Sequence, residues 1–552
     1  MTAAPIPAWI PADWAAAHWP QRMLTAYFDD AVARHPDKVA IVDSNSMSGV
    51  ASTLSYRHLH RLVGRMAGGL AAIGVAKGDI VACQLPNWWQ FVALYLACAR
   101  LGAIINPLMP IFRQRELRYM LGFSEAKILV VPRHFRGCDY PAMIAEIRAE
   151  LPGLAHVLVI GGDGEDSFEL LLLERRWEDE ADLPALFARH APSPEDVTQL
   201  LYTSGTTGEP KGVMHSSNTL ISILLRYIER LGLSDDDTLF MASPMGHQAG
   251  FMYGLMMAPL LGAKLVLQDI WNADRAALLI QDEAVTYTMG STPFLADLTD
   301  SPEVDRSDVS SLRIFVSSGA PIPSALVERA TLRLGARIIS AWGMSETGSV
   351  TTTVPGDSDD RIFGTDGVAL PGIEVRVVDA DDRPLAPGTP GHLQCRGISL
   401  CLGYFRRPEL NVATADGWFD TGDLARMDAD GYIRITGRAK DIIIRGGENI
   451  PVVEIESLLY RHPAVRQVAV VGVPDPRLGE RACAFVVPRE GQSLNFAEMV
   501  AYLERNQVAR QYFPEYLELL PELPHTASGK VQKFQLRAHA LALATKVPET
   551  PS

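Results

Sequence analysis

Apolar residues recur every three or four positions through the early part of the chain, and from about residue 25 to residue 115 that spacing predicts helices. Leu62, Met66, Leu70 and Ile73 share one helical face, and an apolar segment from Trp88 to Leu101 predicts a second core helix. Gly64 and Gly68 form a GxxxG on the first of these, which implies close packing against a neighbour. Farther on the period shortens. Apolar or β-branched runs at Ile128–Val131, Val157–Ile160, Leu239–Ala242, Leu265–Leu267, Ile314–Val316 and Ile338–Ile339 alternate with helical stretches. Strands alternating with helices predict an α/β architecture with largely parallel sheets. Between Gly367 and Gly403 helices give way to Gly/Pro turns around Glu374–Val378 and His392–Cys395, predicting a smaller β-rich subdomain. A mixed α+β pattern resumes after Gly437, which divides the chain into a large N-terminal domain, 1–439, and a small C-terminal domain, 440–552.

Composition narrows the class. With 47% hydrophobic and 21% charged residues over 552 positions, the chain is an ordinary globular protein, which excludes global disorder and fibrous repeats. Its 50 Lys and Arg against 65 Asp and Glu give a net charge of −15, so nucleic acid is not an expected partner. A local cradle of N–H groups can still hold phosphates. Six cysteines without paired CxxC motifs argue against zinc or a disulfide framework, and the acidic run Asp235–Asp237 reads as solvated charge. The first residues lack a basic secretory n-region, and the apolar stretch Phe91–Ala99 is too short to cross a bilayer. A reduced, cytoplasmic, soluble protein with no membrane span is expected.

The strongest chemical signal is Tyr202-Thr203-Ser204-Gly205-Thr206-Thr207-Gly208-Glu209-Pro210-Lys211-Gly212, between an apolar run and a helix beginning near Asn218. Hydroxyl residues and glycines after a strand can wrap phosphate oxygens, with Lys211 as a point charge. It is not a Walker A loop, because Gly212 stands where Ser or Thr would follow the lysine.

This segment resembles the signature loop of the adenylate-forming superfamily, which includes acyl-CoA synthetases, luciferase and peptide-synthetase adenylation domains. Four more segments agree in order: Ala341-Trp342-Gly343-Met344-Ser345-Glu346-Thr347, Trp418 to Asp423, Gly437 to Asp441 leading to Gly446-Gly447-Glu448-Asn449, and Pro524 to Lys530.

The resemblance implies a reaction in two halves. A carboxylate attacks the α-phosphate of ATP to give an acyl adenylate and pyrophosphate, and a thiol, most simply coenzyme A, then displaces AMP. It further implies that the small domain rotates about Lys440 between the halves. Thr203 to Gly208, Lys211, Gly319, Ala320, Pro321, Ala341 to Ser345, Asp423 and Arg438 would bind ATP. Glu346 would hold Mg²⁺, as one carboxylate beside polyphosphate can. Trp342, where Tyr is commoner, would stack on adenine, and Asp423 would accept from the ribose hydroxyls. Lys530 would neutralise the repulsion between carboxylate and phosphate. Gly446, Gly447 and Glu448 would face coenzyme A.

His247, Gly250, Phe251, Ser318, Gly319 and Gly343 would border the acyl group. His247–Phe251, Ser318–Ala320 and Gly343–Thr347 contain no Lys or Arg to pair a second carboxylate, so a monocarboxylic, largely apolar acid is expected. As a whole the sequence most resembles ligases for cyclohexanecarboxylate and related cyclic or medium-chain acids, and that resemblance makes such acids the leading expectation. Aryl acids, a separate carrier protein as acceptor, a non-catalytic nucleotide-binding regulator and a luciferase-like oxygenase stand as alternatives, and a homodimer is left open. The chain ends at residue 552 without a carrier domain, which argues against a peptide-synthetase module.

Overall fold

In the computed structural model, residues 9–10, 12–203, 210–319, 322–411, 413–414, 416–445, 448–475, 477–526 and 529–544 are described, with backbone alone at 440, 448–449 and 543–544. Their architecture is mixed α/β, built on four main sheets.

The largest runs Val368–Ala369, Gly348–Thr352, Arg337–Met344, Ile314–Ser318, Tyr287–Gly290, Thr238–Met241, Lys264–Gln268, Val39–Ser44, Ala51–Ser55. Its inner pairings are parallel, while its two ends close with antiparallel strands. Parallel strands need cover on both faces, and two apolar cores supply it here. A seven-stranded sheet repeats the plan, with parallel Ile104–Pro107, Ile80–Cys83, Ile128–Pro132 and His156–Ile160 flanked by the antiparallel pair Val197–Thr203 and Lys211–Ser216. The apolar helices Tyr56–Ala72 and Trp89–Leu101 belong to the core shared by these two sheets.

A four-stranded antiparallel sheet, Ile373–Val378, Gly391–Gly397, Phe419–Met427 and Ile433–Arg438, forms the β-rich part. After it come a five-stranded sheet and the helices Val452–Tyr460, Phe496–Arg505 and Lys533–Ala544, with two apolar cores of their own. Among the described residues no helix is long and apolar enough to cross a membrane.

Three expectations change. The stretch 25–115 is not all helix, because Val39–Ser44, Ala51–Ser55, Ile80–Cys83 and Ile104–Pro107 are strands threaded between its helices. The last helix, which the sequence pattern places at 531–542, spans Lys533–Ala544. Asp237 is not solvated: it is 4% exposed, accepts the Thr286 hydroxyl at 2.6 Å and pairs with the Arg313 guanidinium at 2.8 Å. The GxxxG does serve packing. A Cβ on Gly68 would lie 2.6 Å from Cβ of Trp177, and one on Gly64 would lie 3.5 Å from Leu183.

An N-terminal strap ties the β-rich part to the rest. Ala12–His18 is helical, and Ile10, Ala15 and Trp19 pack on Ile398. The indole N–H of Trp19 donates to the Ile398 carbonyl at 2.9 Å, and that of Trp9 donates to the Cys401 carbonyl at 3.2 Å. Trp19→Ala should therefore cost about 3–5 kcal/mol, the usual range for emptying a buried tryptophan site. Urea unfolding followed by far-UV circular dichroism reads this directly, and an unchanged midpoint would show that the strap carries no stability.

Candidate active site

The carboxyl ends of two adjacent parallel strands, Ile314–Ser318 and Arg337–Met344, place Ser318, Gly319 and Trp342 to Ser345 on one rim of the large sheet. In open α/β sheets this is where ligands collect. A register shift between Trp342 and Gly343 re-aims the chain as it leaves the sheet. Gly343 is obligatory: a Cβ there would sit 2.1 Å from the Gly348 carbonyl oxygen.

Glu346 lies in the turn after this strand and is 8% exposed. The Tyr404 hydroxyl donates to its Oε1 at 2.8 Å, and the Cys401 N–H donates to its backbone oxygen at 2.8 Å. Next to it, buried His215 donates from Nε2 to the Ser345 carbonyl at 2.8 Å and faces the Thr219 hydroxyl at 3.0 Å. Burial pushes the His215 pKa down to about 4, so the ring is neutral at physiological pH. Lys211 is the first residue of its strand, paired in register with Thr203, and its ammonium stands 5.0 Å from the Tyr404 ring centre. Tyr404 thus touches both charged groups. Neither Tyr404 nor His215 stands out in the sequence, because each acts through contacts between distant segments.

The four-stranded sheet supplies the opposite side. Asp423 and Arg438 are cross-strand partners, and the Arg438 Nε lies 2.8 Å from the Asp423 Oδ1. The indole N–H of Trp342 donates to Asp423 Oδ2 at 2.9 Å. Cys395 lies in the adjacent strand, 1% exposed. Burial first, then the charges of Glu346, Asp423 and Asp420, push its thiol up to about 12.

Lys530 arrives from the C-terminal part. Its N–H donates to the Thr526 hydroxyl at 3.0 Å and its carbonyl accepts the Thr526 N–H at 2.7 Å, a tight turn. Gly529 has φ +81°, and a Cβ on it would lie 2.2 Å from the Ser291 hydroxyl. The Lys530 Cε passes 3.3 Å from the position a Cβ would take on Gly319, itself at φ +87°. Burial foremost, then the Arg438 charge, holds the Lys530 pKa below the usual lysine value, while Asp423 and Glu346 oppose the shift.

His247 caps a short turn, accepting the Ala249 N–H on Nδ1 at 3.3 Å. Burial and the Lys530 ammonium push its pKa down to about 3, so the ring is neutral with its proton on Nε2. Gly250 is packed so tightly that a Cβ would meet the Ser243 and Pro244 carbonyl oxygens at 2.4 Å. Phe251 lies beneath, fully buried, its ring 4.9 Å from that of Tyr95. Met252 and Ile223 lie under Gly348 at 3.1 and 3.4 Å from where its Cβ would be.

The structure therefore gathers Lys530, Gly319, His247, Trp342, Glu346, Asp423 and Arg438 into one place from positions far apart in sequence. Ser204, Gly205, Thr206, Thr207, Gly208, Ala320, Pro321, Gly446 and Gly447, and the side chains of Lys440 and Glu448, lie outside the described residues.

The chain matches the profile of the AMP-binding enzyme over residues 28–405 and that of the AMP-binding enzyme C-terminal domain over 454–530. It is 36% identical to the medium-chain fatty-acid–CoA ligase of Escherichia coli K12, over 96% of this chain and 92% of that protein. It is 35% identical to a salicylyl-CoA synthase / salicylate adenylyltransferase of a Streptomyces species, over 95% and 94%. The fold superposes on the crystal structure of the anthranilate CoA ligase AuaEII in complex with anthranoyl-AMP with a TM-score of 0.86 at 26% identity, covering 96% of this chain and 99% of that one. The chain belongs to the AMP-binding enzymes, and within them to the adenylate-forming acyl-CoA synthetases.

Proposed function

We propose that this protein activates a monocarboxylic acid with ATP as an acyl adenylate and passes the acyl group to the thiol of coenzyme A. The observation that carries the reading is the placement of Lys530 beside Gly319, His247, Asp423 and Glu346, on a rim otherwise built by the large domain.

Each part has a role that its surroundings support. Lys530 sits where attacking carboxylate and α-phosphate, both anionic, meet. Trp342 offers an aromatic face for adenine, and Asp423 with Arg438 offers a carboxylate and a cation for the ribose. The resemblance assigns the phosphates and base to the 203–208 segment, Lys211, 319–321 and Ala341–Ser345, of which Thr203, Lys211, Gly319 and Ala341–Ser345 are described. Among the described residues no three His, Cys, Asp or Glu side chains cluster as a metal cage. Glu346, with Oε1 held by Tyr404, fits instead the single carboxylate that Mg²⁺ takes beside substrate phosphates. The ion would supply charge neutralisation on the polyphosphate. In the second half-reaction the C-terminal domain, 440–552, turns about Lys440 and presents Gly446 to Glu448 to coenzyme A.

For the acyl group, the neutral His247, the glycines Gly250 and Gly343 and the underlying Met252 and Ile223 favour an apolar acid carrying one carboxylate. A medium-chain or cyclohexanecarboxylate-like acid is the leading substrate. The salicylate- and anthranilate-directed relatives favour aryl acids as a second reading.

Three outcomes are expected. Lys530→Ala should lower adenylation by about 10²–10³-fold, while thiolation of a supplied acyl adenylate stays within about threefold; single-turnover assays separate the two, and a joint loss would defeat the division of labour. The ammonium form of Lys530 is the active one and its pKa is lowered, so adenylation should fall on the alkaline side, beginning below the ordinary lysine pKa of about 10.4. A pH–rate profile of pyrophosphate release with that limb absent from Lys530→Arg confirms the assignment. Across a panel of linear, cyclic, aryl and dicarboxylic acids, acyl-CoA formation should be greatest with cyclic or medium-chain monocarboxylates. A tenfold lead for salicylate or anthranilate would select the aryl reading, and pyrophosphate without acyl-CoA would point to a carrier protein.

A further inference from the structure

The Asp423 carboxylate is held by two donors from two different sheets, and they are unequal. Arg438 stands beside it on the next strand, but its side chain is 48% exposed. Exposed ion pairs on long side chains fix geometry weakly. Trp342 reaches across from the nine-stranded sheet, is 9% exposed, and donates a short indole N–H bond to Oδ2. Its ring has only two side-chain torsions, both set by packing and by the register shift at Gly343. A buried hydrogen bond to a charged acceptor is among the stronger ones a protein makes.

The last torsion of an aspartate is soft and roughly twofold, so an unheld carboxylate swings. Two oxygens carry about four acceptor positions between them. Trp342 occupies one on Oδ2 and Arg438 one on Oδ1, which leaves an acceptor position on each oxygen. That pair matches two neighbouring hydroxyls on a five-membered ring.

We infer that Trp342, through its indole N–H, is a positioning residue that locks Asp423 in the orientation needed to read both ribose hydroxyls, and so sets the preference for ribonucleotide over deoxyribonucleotide. The inference rests on the ribose role proposed above for Asp423. It separates two functions of the same ring: the face serves the base, and the edge serves the sugar through another residue.

The test is nucleotide binding to the full-length protein, by calorimetric titration with ATP, 2′-deoxy-ATP and 3′-deoxy-ATP, which needs no knowledge of the acid. Trp342→Phe keeps an aromatic face and removes the donor. ATP affinity should fall about fivefold, affinity for the deoxy analogues should change less than about twofold, and the ribose preference should shrink accordingly. A parallel loss for all three nucleotides would mean that Trp342 only stacks or only supports the fold, and would overturn the proposal, as would no loss at all. If the phenylalanine variant melts early, replacing Trp342 by the isosteric 3-benzothienylalanine removes the N–H at nearly constant shape and decides the same question. Asp423→Asn is the control: with an unchanged ribose preference in that variant, the ribose reading itself falls.

Discussion

An ammonium drawn out of water has few places to rest, and that constraint organises this molecule. Lys530 is carried by a tight turn on one compact unit and ends among groups supplied by another, with Asp423 and Glu346 favouring its charge and burial and Arg438 opposing it. Desolvation is the larger effect and the carboxylates offset it only in part, so the charge on this lysine is tied to the pattern of charges on the rim. Gly319 and Gly529 are the steric side of the same constraint. Each has a positive φ; a side chain on Gly529 would strike the Ser291 hydroxyl, and one on Gly319 would crowd the incoming lysine.

The rim in turn depends on the sheets behind it. Ser318 and Trp342 hold their relative places because their strands are adjacent and parallel, and Asp423 and Arg438 because theirs are adjacent and antiparallel. The indole of Trp342 joins the two pairs. Glu346 is fixed differently, by a phenol, by the backbone N–H of Cys401 and by the neighbouring carbonyl held on a neutral imidazole.

Much of this was legible in the sequence, and what was not has a physical cause. Long apolar runs such as Trp89–Leu101 and the central strands bury all their faces, so their patterns are strong. Val39–Ser44 and Ala51–Ser55 are short, and Ala51–Ser55 is an edge strand largely open to solvent; neither gives a period clear enough to stand out from flanking helices. Asp237 looked like surface charge because its partner Arg313 lies seventy-six positions away. The same holds for Tyr404 and His215: a hydroxyl or imidazole whose role is a tertiary contact leaves no local signature. Charged residues within contiguous motifs could be found by order and spacing. The close packing at Gly250 and Gly343 could not, since it depends on neighbouring backbone that only a glycine admits.

The two thiols beneath the site gain meaning from the chemistry above them. An acyl adenylate is a mixed anhydride, and a thiolate within reach would take its acyl group before any diffusing acceptor could. Cys395 is 1% exposed and Cys401 3% exposed, and burial together with the nearby carboxylates keeps both thiols protonated. Burial foremost, and the carboxylates after it, thus keep the sulfur nearest the rim in its unreactive, protonated form.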